Sequence, residues 1–229
     1  MGVFKKGRTA WAITLIALCI IGVWWYQWMK YQTAPAGFTV TNASDWNTPD
    51  NKIKGHALVE TFTIDDAVQK ADIIAEVAIK EKVKELYEPN EKTIYNAQVV
   101  QMIKGDLAAD AAIYIMQDGN SKVSINDNPQ FQSKEQYIFI LKKAVGFDNT
   151  YWILGSETGV YEVIDENTVV KWAKPEEKLE AIEVNKAQLK INKTAQVTID
   201  KLKDKQPQFI NKEQFEQLLR AELKEEASQ

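Results

Sequence analysis

The chain has 229 residues and a formal net charge of -4, from 28 basic and 32 acidic residues that are intermixed along its length. No basic block of the kind that neutralises phosphates stands out, which argues against nucleic acid as a partner. The only cysteine, Cys19, lies in an apolar run near the N-terminus, so the rest of the chain has neither a disulfide nor thiol chemistry.

Residues 9 to 29 carry no charged side chain. As a helix they would be about 31 Å long, which matches a hydrocarbon core of about 30 Å. Three basic residues, the last of them Arg8, precede the run, and the positive-inside rule places that end in the cytoplasm. The pattern predicts a cytoplasmic stub and single-pass anchor in the cell membrane at residues 1 to 30, with the main domain extracytoplasmic.

Tryptophan rings settle where a bilayer meets water, because one part of the ring is apolar and the N–H is polar. Four tryptophans fall within the run and are predicted to anchor it: Trp11, Trp24, Trp25 and Trp28. The lipid bilayer is therefore the partner predicted for residues 9 to 29.

Two alternatives to an uncleaved anchor remain open. Cleavage after Ala36 fits the A-x-A rule, but the apolar run is longer than the h-region of about 7 to 15 residues in a signal peptide. A lipoprotein signal would use Cys19, but Leu18 stands where a small residue is required. Each alternative still exports the rest of the chain.

The segment from 31 to 55 is dense in turn-forming residues and is predicted to be a polar linker. Thr63 then provides an N-cap, and two acidic residues follow it in what would be the first helical turn. A short helix ending near Lys70 is predicted.

Residues 72 to 80 alternate apolar and charged side chains, which predicts a first strand with one buried face. Segment 136 to 144 is apolar on both faces, which favours a central strand or a closed barrel. Segments rich in β-branched and aromatic residues predict the other strands at 93–105, 111–119, 151–155, 159–164 and 168–172. Short strands at this spacing indicate a barrel or a sandwich.

After Pro175 the chain is rich in helix formers and charge, which predicts a long exposed helix, although its loosely spaced apolar residues argue against one unbroken rod. Asn211 and Gln214 have capping-box spacing, which predicts a final helix. That helix carries an apolar stripe formed by Phe215, Leu218, Leu219 and Leu223. The stripe is expected to dock either on its own barrel or on a partner protein, so these are candidate partner-docking residues.

His56 is the only histidine and lies beside a glycine, where a surface position is expected. Most triads and catalytic zinc sites need a positioned imidazole, so these chemistries are disfavoured. The segments 118–120 and 126–128 combine Asp, Asn and Gly and are candidates for calcium, but turn formation explains them equally well. No catalytic residue, metal ligand or cofactor is predicted.

Three segments carry a resemblance to a known family: "ADIIAEV", "VVQMIKG" and "YIFIL" followed by "YWILG". From Ala71 to about Trp172 their order resembles a netrin/TIMP-like OB-fold module, and more closely uncharacterised exported, membrane-anchored proteins of Gram-positive bacteria. Inhibitory netrin-like modules depend on an N-terminal cysteine and disulfides that the exported part lacks, so inhibition of metalloproteases is not implied. The resemblance implies an OB-like closed barrel, a fold used mainly for binding.

The predicted fold class is α+β. An N-terminal transmembrane helix (1–30) and a linker (31–55) are followed by a β-rich OB-like barrel of about five to seven strands (56–174) and a helical C-terminal extension (175–229). The expected function is a non-enzymatic, membrane-anchored binding module of the cell envelope, with an envelope protein as a candidate partner. The alternatives are a structural subunit of a membrane assembly, which would use the anchor and the final helix, and an exported hydrolase.

Overall fold

The computed structural model describes residues 38–39, 53–55, 60–173, 175–185, 193–202 and 206–226. His56 and the four tryptophans assigned to the anchor, Trp11, Trp24, Trp25 and Trp28, lie outside the described residues. Within the described part of the chain, no helix combines the length and the apolar character needed to cross a bilayer. The anchor stays a prediction from the sequence.

The described residues contain strands and short helices. The strands are β1 (Phe38–Thr39), β2 (Ile53–Gly55), β3 (Ile73–Leu86), β4 (Lys92–Lys104), β5 (Ala112–Asp118), β6 (Val123–Ile125), β7 (Gln136–Lys143), β8 (Thr150–Ile153), β9 (Val160–Val163), β10 (Thr168–Lys171) and β11 (Gln208–Asn211). The helices are α1 (Ile64–Lys70), α2 (Glu177–Glu180), α3 (Lys193–Lys201) and α4 (Lys212–Glu226).

Five of these strands close into a barrel, in the order β3, β4, β5, β8, β7 and back to β3. Neighbouring strands are antiparallel, except that β5 and β8 run parallel. The ring closes because β7 pairs with β3 on one edge and with β8 and β9 on the other. The prediction that segment 136 to 144 is central in a closed barrel is confirmed, and the fold is α+β.

The barrel is filled by side chains rather than by solvent, and Phe131, from the loop before β7, lies at its centre. The Phe131 ring centroid is 5.3 Å from that of Tyr95, 4.7 Å from Tyr137 and 5.1 Å from Phe139. Trp172 adds a fourth ring, at 5.6 Å. Tilted aromatic pairs of this kind contribute about 0.5–1.5 kcal/mol each beyond the area that they bury.

The sheet continues past β7 through β9, β10 and β11, and α1 and α4 pack against this extension. Phe215 and Leu219 are fully buried there, and the Phe215 ring centroid is 4.4 Å from that of Tyr161. Leu218 and Leu223 are partly buried against the same cluster. The apolar stripe of the final helix therefore docks on its own domain, which is the first of its two predicted alternatives.

Both predicted helix starts are confirmed. The Thr63 hydroxyl accepts a hydrogen bond from the Asp66 N–H at 3.2 Å and begins α1. The Asn211 side chain accepts one from the Gln214 N–H at 3.0 Å and begins α4. Each cap satisfies a donor that the first helical turn would otherwise leave unpaired.

The prediction of a long exposed helix after Pro175 is wrong, whereas the expectation that this region does not form one unbroken rod is confirmed. Within the described residues this region forms only the short helices α2 and α3, and Leu179 and Leu202 are fully buried. It also contains β11, which pairs antiparallel with β10. The free edge of β11 is covered, because the Val184 N–H bonds to the Phe209 carbonyl at 2.9 Å. Contacts with distant strands decide the structure here, whereas helix propensity reports only local preference.

Candidate functional site

A cleft opens where the parallel strands part. Residues 114–116 of β5 pair with residues 150–152 of β8, and the two strands separate after these pairs. A cleft of about 300 Å³ lies at the point of separation. Its apolar lining consists of Met116, Ala144, Val145, Phe147, Trp152, Ile153, Val160 and Trp172. Its polar lining consists of Lys92, Gln117, Asp118, Asn128, Ser156 and Glu157. We call this site the aromatic cleft.

Two aromatic side chains near the cleft stay in contact with water. Trp152 is 40% exposed and Tyr114 is 38% exposed. The strand alternation explains their direction, because Tyr151 and Ile153 on either side of Trp152 are buried in the barrel core. Predominantly apolar concave surfaces with a few polar groups are where small ligands usually bind.

The turn from β7 to β8, residues 144 to 149, forms one side of the cleft. Val145 is 97% exposed, and a Cβ added at Gly146 would meet no atom within 4 Å. The base of the hairpin is fixed, since the Lys142 ammonium and the Lys143 N–H bind the Asp72 carboxylate at 2.8 and 2.7 Å. Burial would raise the pKa of Asp72, but these bonds outweigh it and hold that pKa below its ordinary value. A rigid base thus carries an apolar tip in solvent.

Two residues with a left-handed backbone conformation, Gly155 and Ser156, lie on the other side of the cleft. Gly155 has φ +69°, and a Cβ there would lie 2.1 Å from the Thr158 hydroxyl oxygen, so the position requires glycine. Ser156, which lines the cleft, has φ 50° although it has a side chain. Such residues cost about 1–3 kcal/mol each and concentrate at functional sites.

The polar lining of the cleft is organised by its own turns. Lys92 pairs with Asp118, and the Asn120 side-chain oxygen accepts hydrogen bonds from the N–H groups of Lys122 and Val123, each at 2.9 Å. These contacts belong to segment 118–120, one of the two candidates for calcium.

In the other candidate, 126–128, Asp127 pairs with Lys54 at 2.9 Å. The described residues include no group of three or more His, Cys, Asp or Glu side chains placed to hold a metal ion. Segment 118–120 thus makes an ion pair and turn hydrogen bonds, and segment 126–128 makes an ion pair and a hydrogen bond from the Asn128 N–H to the Ile125 carbonyl at 3.0 Å.

A second cluster, which we call the carboxylate network, centres on Glu162. This residue of β9 is 2% exposed. One carboxylate oxygen accepts a hydrogen bond from the Trp172 indole N–H at 2.8 Å, and the other accepts one from the Thr198 hydroxyl at 2.7 Å. The Lys201 ammonium lies 3.2 and 3.4 Å from the two oxygens. Both oxygens are therefore fully engaged.

Lys201 joins a second carboxylate to the network. Its ammonium lies 3.2 Å from a Glu135 oxygen, 3.3 Å from the Tyr137 hydroxyl oxygen and 4.8 Å from the Trp172 ring centroid. The Tyr137 hydroxyl donates to the other Glu135 oxygen at 2.5 Å. Burial, together with the charges of Glu162 and Glu135, raises the pKa of Tyr137 well above its ordinary value, so the phenol stays a donor. The network fastens α3 to the barrel.

An open cleft of about 520 Å³ borders this network and contains both Glu135 and Glu162. Two carboxylates in a cleft are a pattern that glycoside hydrolases use. Here both Glu162 oxygens accept hydrogen bonds, from the Trp172 N–H and the Thr198 hydroxyl, and the Lys201 ammonium lies beside them. The arrangement favours a structural role for the pair.

Another buried charge closes the C-terminal end of β3. Glu85 is fully buried, and its carboxylate accepts hydrogen bonds from Lys82 at 3.0 Å, Tyr87 at 2.9 Å and the Ser121 hydroxyl at 2.7 Å. Burial raises the pKa of Glu85, but these bonds outweigh it and hold the pKa below its ordinary value.

Sequence reasoning missed both the cleft and the carboxylate network. The network joins Glu162 to residues 36 and 39 positions away, and no short motif reports such pairs. For the cleft a weak signal existed, because alternation places Trp152 on the outer face of its strand. Comparison with known proteins adds nothing, since no protein-family model matches the chain and no curated protein is similar enough to count as a relative.

Proposed function

We propose that the chain is a membrane-anchored, extracytoplasmic binding module of the cell envelope, without catalytic activity, whose aromatic cleft holds the ligand. The observation that carries the proposal is the cleft of about 300 Å³ beside the exposed ring of Trp152. A buried tryptophan would stabilise the barrel more, so an exposed ring at a cleft mouth favours a role in binding. Residues 1 to 30 provide the proposed anchor.

The barrel is proposed to be of the OB type. Its strand order, with a first strand paired to both the second and the fourth and a parallel pair between the third and the fifth, supports this assignment. OB barrels bind ligands with one exposed face and the adjoining loops. In this chain the corresponding surface includes β4, β5 and the turn between β7 and β8.

The structure adds no support to the two alternative functions, a structural subunit and an exported hydrolase. A structural subunit would need the apolar stripe of α4 for assembly, but Phe215 and Leu219 are buried in their own domain. For a hydrolase, the Glu135 and Glu162 carboxylates of the open cleft are already engaged within the protein, Glu162 by Trp172 and Thr198 and Glu135 by Tyr137 and Lys201. The rings of Trp152 and Tyr114, by contrast, are not buried in the domain.

Site-specific cross-linking tests the binding proposal. The full chain, carrying a photoreactive amino acid at Trp152, is expressed in intact cells and irradiated. The matched control carries it at Val197, which is 51% exposed on α3 and lies outside both the cleft and the proposed binding surface. We expect a discrete adduct with an envelope component from position 152 only. Equal labelling from both positions, or none from either, would overturn the proposal.

The proposed location is tested separately. Alkaline extraction should leave the full chain in the membrane pellet, and added protease should digest residues 60 to 226 in cells whose outer face is accessible. Recovery in the soluble fraction, or protection from the protease, would contradict the proposed anchor or its orientation.

A further inference from the structure

Val145, at the tip of the β7–β8 hairpin, is not packed against the described part of the domain. Val145 is 97% exposed, and the space around Gly146 is open. Burying a valine side chain stabilises a fold relative to leaving it in water, and this residue forgoes that stabilisation. A polar residue at the same place would fold as well and dissolve better.

The tip is continuous with other exposed apolar surface. Val145, Phe147 and Trp152 line the same cleft, and Tyr114, 38% exposed, lies on the strand paired with that of Trp152. Single exposed apolar residues are ordinary, but a contiguous group with polar surroundings marks a contact with a partner or a membrane.

The charged residues of the hairpin bear on whether the partner is a protein or a membrane. Lys143 is exposed, and its ammonium has no hydrogen bond or ion pair within the described part of the chain. It lies two residues before Val145, while Asp148 is the acidic residue on the other side of the tip. An exposed cation beside an apolar tip suits a surface of anionic lipid headgroups.

The size of the tip favours a bilayer over a protein. A stable protein interface buries about 800 Å² per partner, with well-packed anchor residues at its centre. Val145 and Phe147 on the turn, even together with the half-exposed rings of Trp152 and Tyr114, are too few for that. A bilayer interface accepts them without any matching shape.

This inference rests on the proposed function, in which the anchor holds the hairpin within reach of a bilayer. The predicted anchor ends at residue 30 and the continuously described part begins at residue 60. Thirty residues span at most about 100 Å. Because the anchor keeps the domain beside the membrane, even a weak contact is populated through its high effective concentration.

We propose that the β7–β8 hairpin rests on the outer leaflet of the bilayer, with Val145 and Phe147 inserted at the headgroup level and Lys143 among anionic lipids. The aromatic cleft then opens at the membrane surface, and its ligand is reached there rather than from bulk solvent.

The test uses the full chain with Cys19→Ser, so that one introduced thiol can be labelled. Val145→Cys carries an environment-sensitive fluorophore, and Gln214→Cys, at an exposed position of α4, is the matched control. Both proteins are reconstituted into vesicles of phosphatidylcholine and phosphatidylglycerol that contain a lipid-borne quencher. Both sites are exposed, so neither change should prevent folding. We expect quenching several times larger at position 145 than at 214, and Lys143→Glu should reduce it.

The outcomes separate this inference from the proposed function. A chain that stays in the vesicles but shows equal quenching at both positions would overturn the hairpin contact and leave the anchor standing. Quenching at 145 that requires an added envelope protein would overturn it in favour of a protein partner. A chain that is not retained in the vesicles would contradict the proposed anchor itself.

Discussion

The carboxylate network and the aromatic cleft share Trp172 and are built in opposite ways. In the network, charged groups lie inside the protein, and every oxygen of Glu162 has a partner. At the cleft, apolar groups lie in water, with Val145 and Trp152 uncovered. Both depart from the usual distribution of polar and apolar residues. The buried charges complete the domain, whereas the exposed rings, on the proposed function, form a surface for a ligand.

The strongest test of this contrast is Glu162→Ala. Removing one member of a buried ion pair typically costs about 3–5 kcal/mol. In this variant the Trp172 N–H would lose its partner, and Lys201 would be left with Glu135 and the Tyr137 hydroxyl. Glu81→Ala, at an exposed position of β3, is the matched control and should change stability by less than about 0.5 kcal/mol. Denaturant unfolding of the full chain measures both. Similar values for the two variants would show that the network does not hold α3.

Two tyrosines of the same core sharpen the contrast. The Tyr137 hydroxyl donates to Glu135 at 2.5 Å, whereas the Tyr95 hydroxyl is buried and has no hydrogen-bond partner among the described residues. Tyr137→Phe should therefore cost about 1.5–3 kcal/mol. Tyr95→Phe removes an unsatisfied polar group and should be neutral or stabilising. Thermal unfolding compares them, and a larger loss for Tyr95→Phe would refute the assignment of the network.

Acidification tests the buried charge at Glu85, whose pKa is held below its ordinary value of 4.5. A lowered pKa stabilises the folded state fully above the unfolded value, and this contribution is lost as pH falls through the folded value. Stability should therefore decline below about pH 4.5. Glu85→Gln should flatten that decline without abolishing it, since Asp72 also has a lowered pKa. Unfolding curves at stepwise lower pH measure the slope, and an unchanged slope would contradict the assignment.

The smallest effect is expected at the cleft. Lys92 and Asp118 keep 28% and 34% of their side chains exposed, so Lys92→Met should change stability by less than about 1 kcal/mol. Lys82→Met is the buried counterpart, because Lys82 and Glu85 are 5% and 0% exposed, and it should cost several times more. Equal losses on denaturation would mean that the rim of the cleft is structural.

Local chemistry made part of this fold predictable. Thr63 and Asn211 were identified as helix caps because their bonds are made within three residues. Alternation located β3, but the predicted strand stopped at residue 80, whereas β3 continues to Leu86 through several register shifts. Bulges break the period of two on which the prediction depends.

Distant pairing was not predictable. β11 has four residues, too few for a periodic signal. It forms by pairing with the edge of β10, whose residues lie 37 or more positions earlier in the chain. Thr198 and Lys201 look like ordinary residues of a polar helix, and only the folded barrel brings Glu162 to them. The candidate site belongs to the same category, since the cleft forms where β5 and β8 separate and neither strand signals this alone.

The position of α4 has a consequence for biosynthesis. Phe215 and Leu219 lie in the same core cluster as Val68 and Ile74, so the first and last parts of the described domain complete one core. That cluster cannot close until nearly the whole chain has left the ribosome, and on the proposed function until it has crossed the membrane. The domain should pass the export channel unfolded and fold late. A chain that ends before residue 215 would leave Tyr161 and Ile210 uncovered and open to aggregation or proteolysis.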